Sequence, residues 1–304
     1  MRCASLLGVV LLSLPSAGCG DDGGGGEEPV QEWLQVAAGG DHACGIDADG
    51  GLWCWGANDT GQLGNGTALD TSLPVAVTGL TEAVVEVSTG WKHTCAITVS
   101  GQAWCWGNND IYQLGNGDTE AEPSAVPVQV VDMGNARSIA AGDAHTCAIK
   151  TDGTTWCWGL NVDGQLGDAT GNFIDHIEPH QVSGVSGATS VCSSMVHSCV
   201  TTSSDVYCWG ENLSNQLGPN GGVEDVNDTP VVVPGANLSG ASMIACGDGH
   251  SCAVANGQIV CWGENGSGQL GDGTTTETAT PTTVTGVSDA TAVAASIDLS
   301  LIHI

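Results

Sequence analysis

Histidines and cysteines recur at a regular spacing in this chain. Both residue types bind metals and take part in catalysis, and cysteines also form disulfides. In the stretch "AGDAHTCAIKTDGTTWCWGLNVDGQLG", residues 141–167, a His-x-Cys unit is followed ten residues later by a second cysteine. The arrangement occurs five times, and the cysteines of the last two copies are nine residues apart. The histidines are His42, His93, His145, His197 and His250; the cysteine pairs are Cys44 and Cys54, Cys95 and Cys105, Cys147 and Cys157, Cys199 and Cys208, and Cys252 and Cys261.

The regular spacing indicates a structural repeat rather than one isolated site. The histidines stand 51, 52, 52 and 53 residues apart, a period typical of repeat architectures. A histidine present in every unit is better explained as a repeated core hydrogen-bonding group than as a catalyst. Each unit also has a tryptophan after its second cysteine, which predicts packing between units, with a sugar-binding face as the alternative. These tryptophans are Trp55, Trp106, Trp158, Trp209 and Trp262.

The residues between paired cysteines are typical of a β-hairpin. In the third copy, "HTCAIK" and "TTWCWG" flank residues 151–153, a three-residue loop that ends in glycine. Such a loop pairs Lys150 with Thr154 and places Cys147 opposite Cys157. This is a non-hydrogen-bonded position, where α-carbons approach within about 4.5 to 5.5 Å and a disulfide fits.

The fourth and fifth copies test this interpretation, because their cysteines are one residue closer together. Their loops shorten to Ser203-Ser204 and Asn256-Gly257, and Asn-Gly favours a two-residue type I′ turn. The cysteines therefore stay opposed, and we expect five hairpin disulfides in an exported protein. Zinc bound by His-x-Cys and the second cysteine is the alternative, but the repeats supply no consistent fourth ligand. Cys192 and Cys246 lie outside the hairpins, and an additional disulfide between them stays open.

Each unit contains two further strand-like segments. One precedes the histidine, as in "WLQVAAG" and "AVVEVSTG", and the other follows a proline, as in "PVAVTGL", "PVQVVDM" and "PVVVPGA". No segment has a helical period, so we predict an all-β protein with four strands per unit. Units of this kind are typical of the blades of a β-propeller. The predicted repeats are 33–80, 81–134, 135–186, 187–240 and 241–290, with a partial sixth at 291–298.

The stretch "VAAGGDHACGIDADGGLWCWGANDTGQLGNGT" resembles the repeat of the regulator of chromosome condensation family. The shared features are Ala-Gly-x-x-His, a hairpin ending in Trp-Gly, and Asn-x-x-Gly-Gln-Leu-Gly. The resemblance covers about residues 33–290. It implies a propeller, usually of seven blades, that binds protein partners. The fourth copy departs at Ser193-Ser194 and Asn215, and the second at Tyr112.

The charge is strongly one-sided, with 34 acidic residues against 4 lysines and arginines and a formal net charge of −30. Such a surface repels phosphate backbones, which excludes nucleic acid as a partner. It favours solubility and a basic partner.

The N-terminus predicts export and a tether. Residues 1–18 fit a signal peptide with a short apolar run, and Ser16-Ala17-Gly18-Cys19 resembles a bacterial lipobox, apart from Ser16. Lipidated Cys19 and the flexible acidic segment 19–32 would hold the domain at the outer membrane or cell surface. Ordinary cleavage, with Cys19 incidental, is the alternative.

The C-terminus interrupts a sixth repeat. By analogy with Ala38 and His42, Ala295 predicts a histidine at position 299, where the sequence has Leu299. Residues 299–304, "LSLIHI", match a translated sequencing-adaptor end, so we expect them to be foreign and the gene to be truncated.

No catalytic constellation, metal-ligand set or cofactor motif stands out from the repeats. We therefore predict a non-enzymatic, surface-tethered propeller that binds an unknown protein through its rim loops. One alternative is a carbohydrate-binding propeller, with Trp33, Trp91 and Tyr112 as its exposed aromatics. Another is the targeting part of a longer enzyme. By resemblance, exported relatives include a β-lactamase inhibitor, and eukaryotic members act as guanine-nucleotide exchange factors. Export and acidity argue against the exchange activity here.

Overall fold

Short antiparallel strands make up almost the whole structure, a computed structural model that describes residues 32–222, 225–296 and 300–303. Strands β1 to β20 form five sheets of four consecutive strands each, which are called blades 1 to 5. Blade 1 contains Trp33–Ala38, His42–Asp47, Leu52–Gly56 and Thr71–Ala76, and blade 2 contains Val84–Thr89, His93–Thr98, Ala103–Gly107 and Ser124–Gln129. Blade 3 contains Ala136–Ala141, His145–Lys150, Thr155–Gly159 and His176–Gln181.

Blade 4 contains Ser190–Ser193, His197–Thr201, Val206–Glu211 and Val226–Val233. Blade 5 contains Ala241–Cys246, His250–Ala255, Gln258–Gly263 and Thr278–Thr283. Two 3₁₀ turns, Pro219–Gly221 and Ala236–Leu238, lie in connecting segments. The predicted all-β propeller of four-stranded blades is confirmed.

A sixth, two-stranded sheet pairs β21 (Ala292–Ala295) with β22 (Ser300–His303). The segment expected to be foreign therefore supplies the second strand of this sheet. The Ser300 hydroxyl donates to the carbonyl oxygen of Gln269 at 2.9 Å. Leu299, Ile304, Cys19, the signal peptide and the tether up to residue 31 lie outside the described residues. In the described part of the chain, no helix is long and apolar enough to cross a membrane.

The hairpins have the predicted register. Cys147 faces Cys157, and the Lys150 amide donates to the carbonyl oxygen of Thr154. In blade 5, Asn256 and Gly257 both have positive φ, 52° and 74°, as a type I′ turn requires. The loop chemistry thus determines which residues are opposite each other.

The fourth strand of each blade begins earlier than predicted. The segment "PVAVTGL" begins at Pro74, whereas β4 begins at Thr71 and contains the proline. The same holds for Pro127 in β8 and Pro230 in β16. These are outer strands with a free edge, where a residue without an N–H is tolerated. Proline therefore marked the middle of each outer strand and not its start.

The apolar core lies between blades. Each pair of adjacent blades encloses one buried cluster, and the interface of blades 2 and 3 is typical: Leu114 and Met133 of one blade contact Trp158 of the next. The inner strands of all six sheets line a central channel of about 550 Å³. Residues that face the channel, the blade ends or the outer edges of the blades are therefore the ones left for function.

Candidate functional site

The recurring histidines form a buried polar network between blades. In blade 1, His42 Nε2 lies 2.7 Å from the Thr94 hydroxyl of blade 2. That hydroxyl donates to the carbonyl oxygen of Gln62 at 2.8 Å. Since its proton is used there, the hydroxyl accepts from Nε2–H, which places a proton on Nε2 and fixes the orientation of the ring. The Trp106 indole donates to the same carbonyl at 2.9 Å.

The unit repeats at the next three interfaces with the same partners. His93, His145 and His197 contact the hydroxyls of Thr146, Ser198 and Ser251. Burial lowers the pKa of His42 to about 4 and that of His93, His145 and His197 to about 3. All five recurring histidines are at most 4% exposed, so they are out of reach of an external substrate.

The departure at Ser194 has a local explanation. In the other repeats this position is glycine, and a Cβ built on Gly142 would clash with the carbonyl oxygen of Ser194 and lie 2.8 Å from the ring of His145. Ser194 instead contacts His197 Nδ1 with its hydroxyl at 2.8 Å. A serine is therefore accommodated because it becomes part of the network.

The recurring tryptophans divide into two groups. Trp106, Trp158, Trp209 and Trp262 are fully buried. Trp55 differs from the prediction, because it is only half-buried and its ring centroid lies 5.7 Å from that of Trp33. The four buried rings pack beneath a loop of the preceding blade, whereas Trp55 belongs to the first blade.

The structure joins the paired cysteines as disulfides. Their α-carbons lie 4.0 to 4.1 Å apart, somewhat closer than the expected range. Cys192 and Cys246 are also joined, and they connect the inner strands of blades 4 and 5. The sulfurs of Cys192, Cys246 and Cys199 lie within 4.8 Å of one another and are the described group with metal-ligand spacing. Since the structure pairs all three in disulfides, they offer no thiolate to a metal.

One end of the propeller carries the functional candidates and is called the loop face. It comprises the short loops 39–41, 90–92, 142–144, 194–196 and 247–249 and the described residues of the long loops, 57–70, 108–123, 160–175, 212–222 with 225, and 264–277. The opposite end, called the hairpin face, contains the β2–β3-type hairpins and the connections between blades. The first and third strands of each blade run in the same direction, which places both sets of loops at the same end.

Two recurring side chains hold each long loop, a role that the sequence analysis missed. The side-chain oxygen of Asn58 accepts from the Leu63 amide at 2.9 Å, and that of Gln62 accepts from the Thr60 amide at 2.9 Å. Equivalent Asn contacts hold the loops of blades 2 to 5. This role of the Asn and Gln side chains could have been predicted from the five copies of Asn-x-x-Gly-Gln-Leu-Gly, of which the second and fourth are altered at the first glycine. The loop face is therefore preorganised.

Exposed apolar side chains concentrate on this face. Trp91 and Met195 project from the short loops near the axis and are 36% and 47% exposed. Val162 and Leu213 follow the scaffold asparagines of blades 3 and 4 and are 57% and 62% exposed. The exposed Leu69, Phe173 and Ile174 lie in long loops of blades 1 and 3.

Acidic residues surround these apolar groups. Every loop of the face except 90–92 and 194–196 contains Asp or Glu, and Lys92 is the only lysine or arginine among the loop residues that the structure describes. Burial, followed by the nearby Asp248 carboxylate, raises the pKa of Asp143 to about 6. Burial and then Asp163, among other acids, also raise the pKa of Glu211. A neighbouring cation would therefore stabilise the ionised carboxylates of this face.

Among the described residues that line the central channel, Glu86 is the acidic one. Its carboxylate accepts from the Ile139 amide at 3.0 Å and from the Ser138 hydroxyl at 3.1 Å. Burial raises its pKa to about 7. Gln35, at the same position in blade 1, contacts the Val87 backbone in the same way. Glu86 therefore connects two blades.

The three aromatics suggested for sugar binding do not form one platform. Trp33 lies at the hairpin-face end of β1, against Trp55 and over Gly45. Trp91 lies at the loop face, packed over Gly40. Tyr112 occupies a positive-φ position, 60°, in the long loop of blade 2.

Comparison with known proteins agrees with this geometry. A sequence profile described as the RCC1-like domain matches residues 15–302. The chain belongs to the RCC1-like family. The human E3 ubiquitin-protein ligase HERC2 is 31% identical over 249 residues, which are 80% of this chain and 5% of that protein. The ultraviolet-B receptor UVR8 of Arabidopsis thaliana is 30% identical over 253 residues, which are 81% of this chain and 56% of that protein. The RCC1-like chain thus spans about half of UVR8 and a small part of HERC2.

Solved structures show the same fold. Human WBSCR16 superposes with a TM-score of 0.80 at 24% identity, over 90% of this chain and 72% of that one. Prp20p of Saccharomyces cerevisiae, whose structure was described with its binding to Gsp1p and histones, superposes with a TM-score of 0.70 at 22% identity. That match covers 84% of this chain and 64% of Prp20p.

Proposed function

We propose that this RCC1-like chain is a non-catalytic protein-binding propeller and that its loop face contacts the partner. The observation that carries the proposal is the set of exposed apolar side chains on loops that buried Asn and Gln residues hold in place. Protein interfaces are rich in aromatic and Met anchors, and a preorganised surface loses less entropy on binding. RCC1-like propellers bind proteins, as the yeast relative does.

The partner we propose has a basic surface. Trp91 and Met195 would fill apolar sockets, and lysines or arginines around those sockets would face Asp143, Asp163 and Asp248. Charge complementarity of this kind accelerates association and weakens with salt.

Export and a surface location belong to the same proposal. Lipidation of Cys19, with residues 20–32 as a spacer, would present the propeller outside the inner membrane. A Cys19→Ser variant should then leave the membrane fraction and appear as soluble protein. If the variant stays in the membrane fraction, the anchor is elsewhere.

The test of the binding surface compares two triple variants. Trp91→Ser, Met195→Ser and Leu213→Ser remove exposed anchors from the loop face. Leu34→Ser, Val85→Ser and Val99→Ser remove apolar residues away from it that are somewhat more exposed. Both proteins, and the wild type, are cross-linked to intact cells of the source organism and their partners are identified by mass spectrometry. We expect one partner to be captured by the wild type and the control but lost from the loop-face variant. Equal capture by all three proteins, or no partner at all, contradicts the proposal.

A further inference from the structure

Blade 3 departs from the other blades at two positions of its outer strand, and histidine fills both. His176 pairs with Gly159, where the equivalent residues are Thr71, Ser124, Asn227 and Thr278. His180 pairs with Cys157, where the equivalent residues are Val75, Val128, Val231 and Thr282. The sequence analysis did not use these histidines; the structure shows that both belong to strand β12. The repeat explains neither histidine.

These two histidines of blade 3 contact each other. The ring centroids of His176 and His180 lie 4.7 Å apart, with the ring planes inclined at 45°. Both side chains are partly exposed, unlike the five recurring histidines, which are buried. Two accessible imidazoles therefore stand side by side on the outer edge of blade 3.

A buried carboxylate orients the first of them. His176 Nε2 lies 2.9 Å from Asp168 Oδ2, and the Asp168 side chain is 1% exposed. The other oxygen of Asp168 accepts from the amide and hydroxyl of Thr170. Asn65 and Asp272 hold their loops with the same contacts to Thr67 and Thr274. The contact to a histidine is thus an addition to the ordinary role of Asp168.

This arrangement has the chemistry of a metal site. An imidazole that donates Nε2–H to a carboxylate keeps the lone pair of Nδ1 for a ligand, as metal-bound histidines do. Imidazole suits Zn²⁺ and Cu²⁺ rather than Mg²⁺ or Ca²⁺. We propose that His176 and His180 bind a late first-row divalent metal ion, Zn²⁺ or Cu²⁺, that Asp168 orients His176, and that water or a partner side chain completes the coordination. The proposal is independent of the partner that the loop face binds.

Isothermal titration of the full chain with ZnCl₂ and with CuSO₄ tests the proposal, with CaCl₂ as the negative control. We expect one equivalent of Zn²⁺ or Cu²⁺ to bind and no Ca²⁺. In the Cu²⁺ complex, electron paramagnetic resonance should show hyperfine coupling to imidazole nitrogen.

The variants restore residues that the other blades use, so the fold has a precedent for each. His180→Val and His176→Thr should each weaken the affinity at least about tenfold, and Asp168→Asn should weaken it about ten- to a hundredfold. His303→Gln is the matched control and should bind as the wild type does. Thermal unfolding without metal checks that His180→Val is folded.

Three results would overturn the proposal. One is the absence of stoichiometric binding by the wild type. A second is unchanged affinity in both His176→Thr and His180→Val. The third is binding that arises only after disulfide reduction, which would assign the metal to the cluster of Cys192, Cys199 and Cys246.

Discussion

At the residue scale, one hydroxyl contacts a histidine and a backbone carbonyl oxygen at each of the four interfaces between blades 1 to 5. The Thr146 hydroxyl contacts His93 Nε2 at 2.9 Å and donates to the carbonyl oxygen of Gln113 at 3.0 Å, which also accepts from Trp158. Threonine or serine at this position thus holds the buried histidine in one orientation, and burial keeps its ring neutral. The histidines are buried hydrogen-bonding groups at the blade interfaces.

Replacing this hydroxyl tests its contribution. Thr146→Val keeps the shape of the side chain and leaves His93 Nε2–H buried without its acceptor. We expect the free energy of unfolding to fall by about 1 to 3 kcal/mol, measured by urea denaturation with an unchanged m-value. The exposed Thr275→Val should change it by less than about 0.5 kcal/mol. Equal effects of the two variants would mean that the network contributes no stability.

Residue types and their spacing predicted the roles of some side chains but not of others. The role of the histidines could be predicted because five copies exclude a single active centre. The sequence does not reveal that His176 and His180 lie on one strand, because "HIEPHQ" has no β-branched run and contains a proline, yet the free edge of β12 accepts both features.

At the element scale, five disulfides each join the two strands of one hairpin, and a further disulfide joins blades 4 and 5. The hairpin disulfide Cys147–Cys157 closes a short loop with a sequence separation of 10, and Cys192–Cys246 closes one of 54. A disulfide that closes the longer loop removes more entropy from the unfolded chain.

Two double variants compare these disulfides. Cys147→Ala with Cys157→Ala should lower the free energy of unfolding by about 3 kcal/mol, and Cys192→Ala with Cys246→Ala by about 4 kcal/mol. Guanidinium denaturation of the oxidised proteins measures both losses. A larger loss from the hairpin pair would contradict the entropic explanation.

The pairing of strands within each hairpin could be predicted, because the length of the turn and the spacing of the cysteines change together. The start of each outer strand could not, because its first residues, such as Thr71 and Ser124, are polar and exposed. The sequence also did not reveal which apolar side chains of the loop face are exposed. Whether Val162 or Leu213 faces solvent depends on how neighbouring loops pack, and a single sequence does not reveal that.

At the scale of the whole molecule, the buried neutral histidines make stability depend on pH. His42, His93, His145 and His197 have folded pKa values of about 3 to 4, whereas the unfolded chain binds these protons near pH 6.5. The unfolded state therefore binds more protons below pH 6.5, and stability falls as the pH falls. Glu86 and Asp143, with folded pKa values of about 7 and 6, act in the opposite direction and offset part of this loss.

We expect the net loss between pH 6 and pH 5 to be about 2 to 3 kcal/mol, from about 1.4 kcal/mol per pH unit for each group. Urea denaturation at several pH values measures it. His145→Gln removes one of these histidines, so the free energy of unfolding should fall by about 1.4 kcal/mol less per pH unit. A stability that is constant from pH 7 to pH 5 would mean that these histidines are protonated in the folded state.

The central claim is that the loop face binds the protein partner, and a hydrogen-exchange footprint of the purified complex tests it most directly. We predict that the partner slows exchange in loops 90–92, 194–196 and 212–222. The hairpins of the opposite face, such as residues 48–51 and 99–102, should exchange at the same rate with and without the partner. Protection confined to the hairpin face, or to the outer strands, would contradict the account.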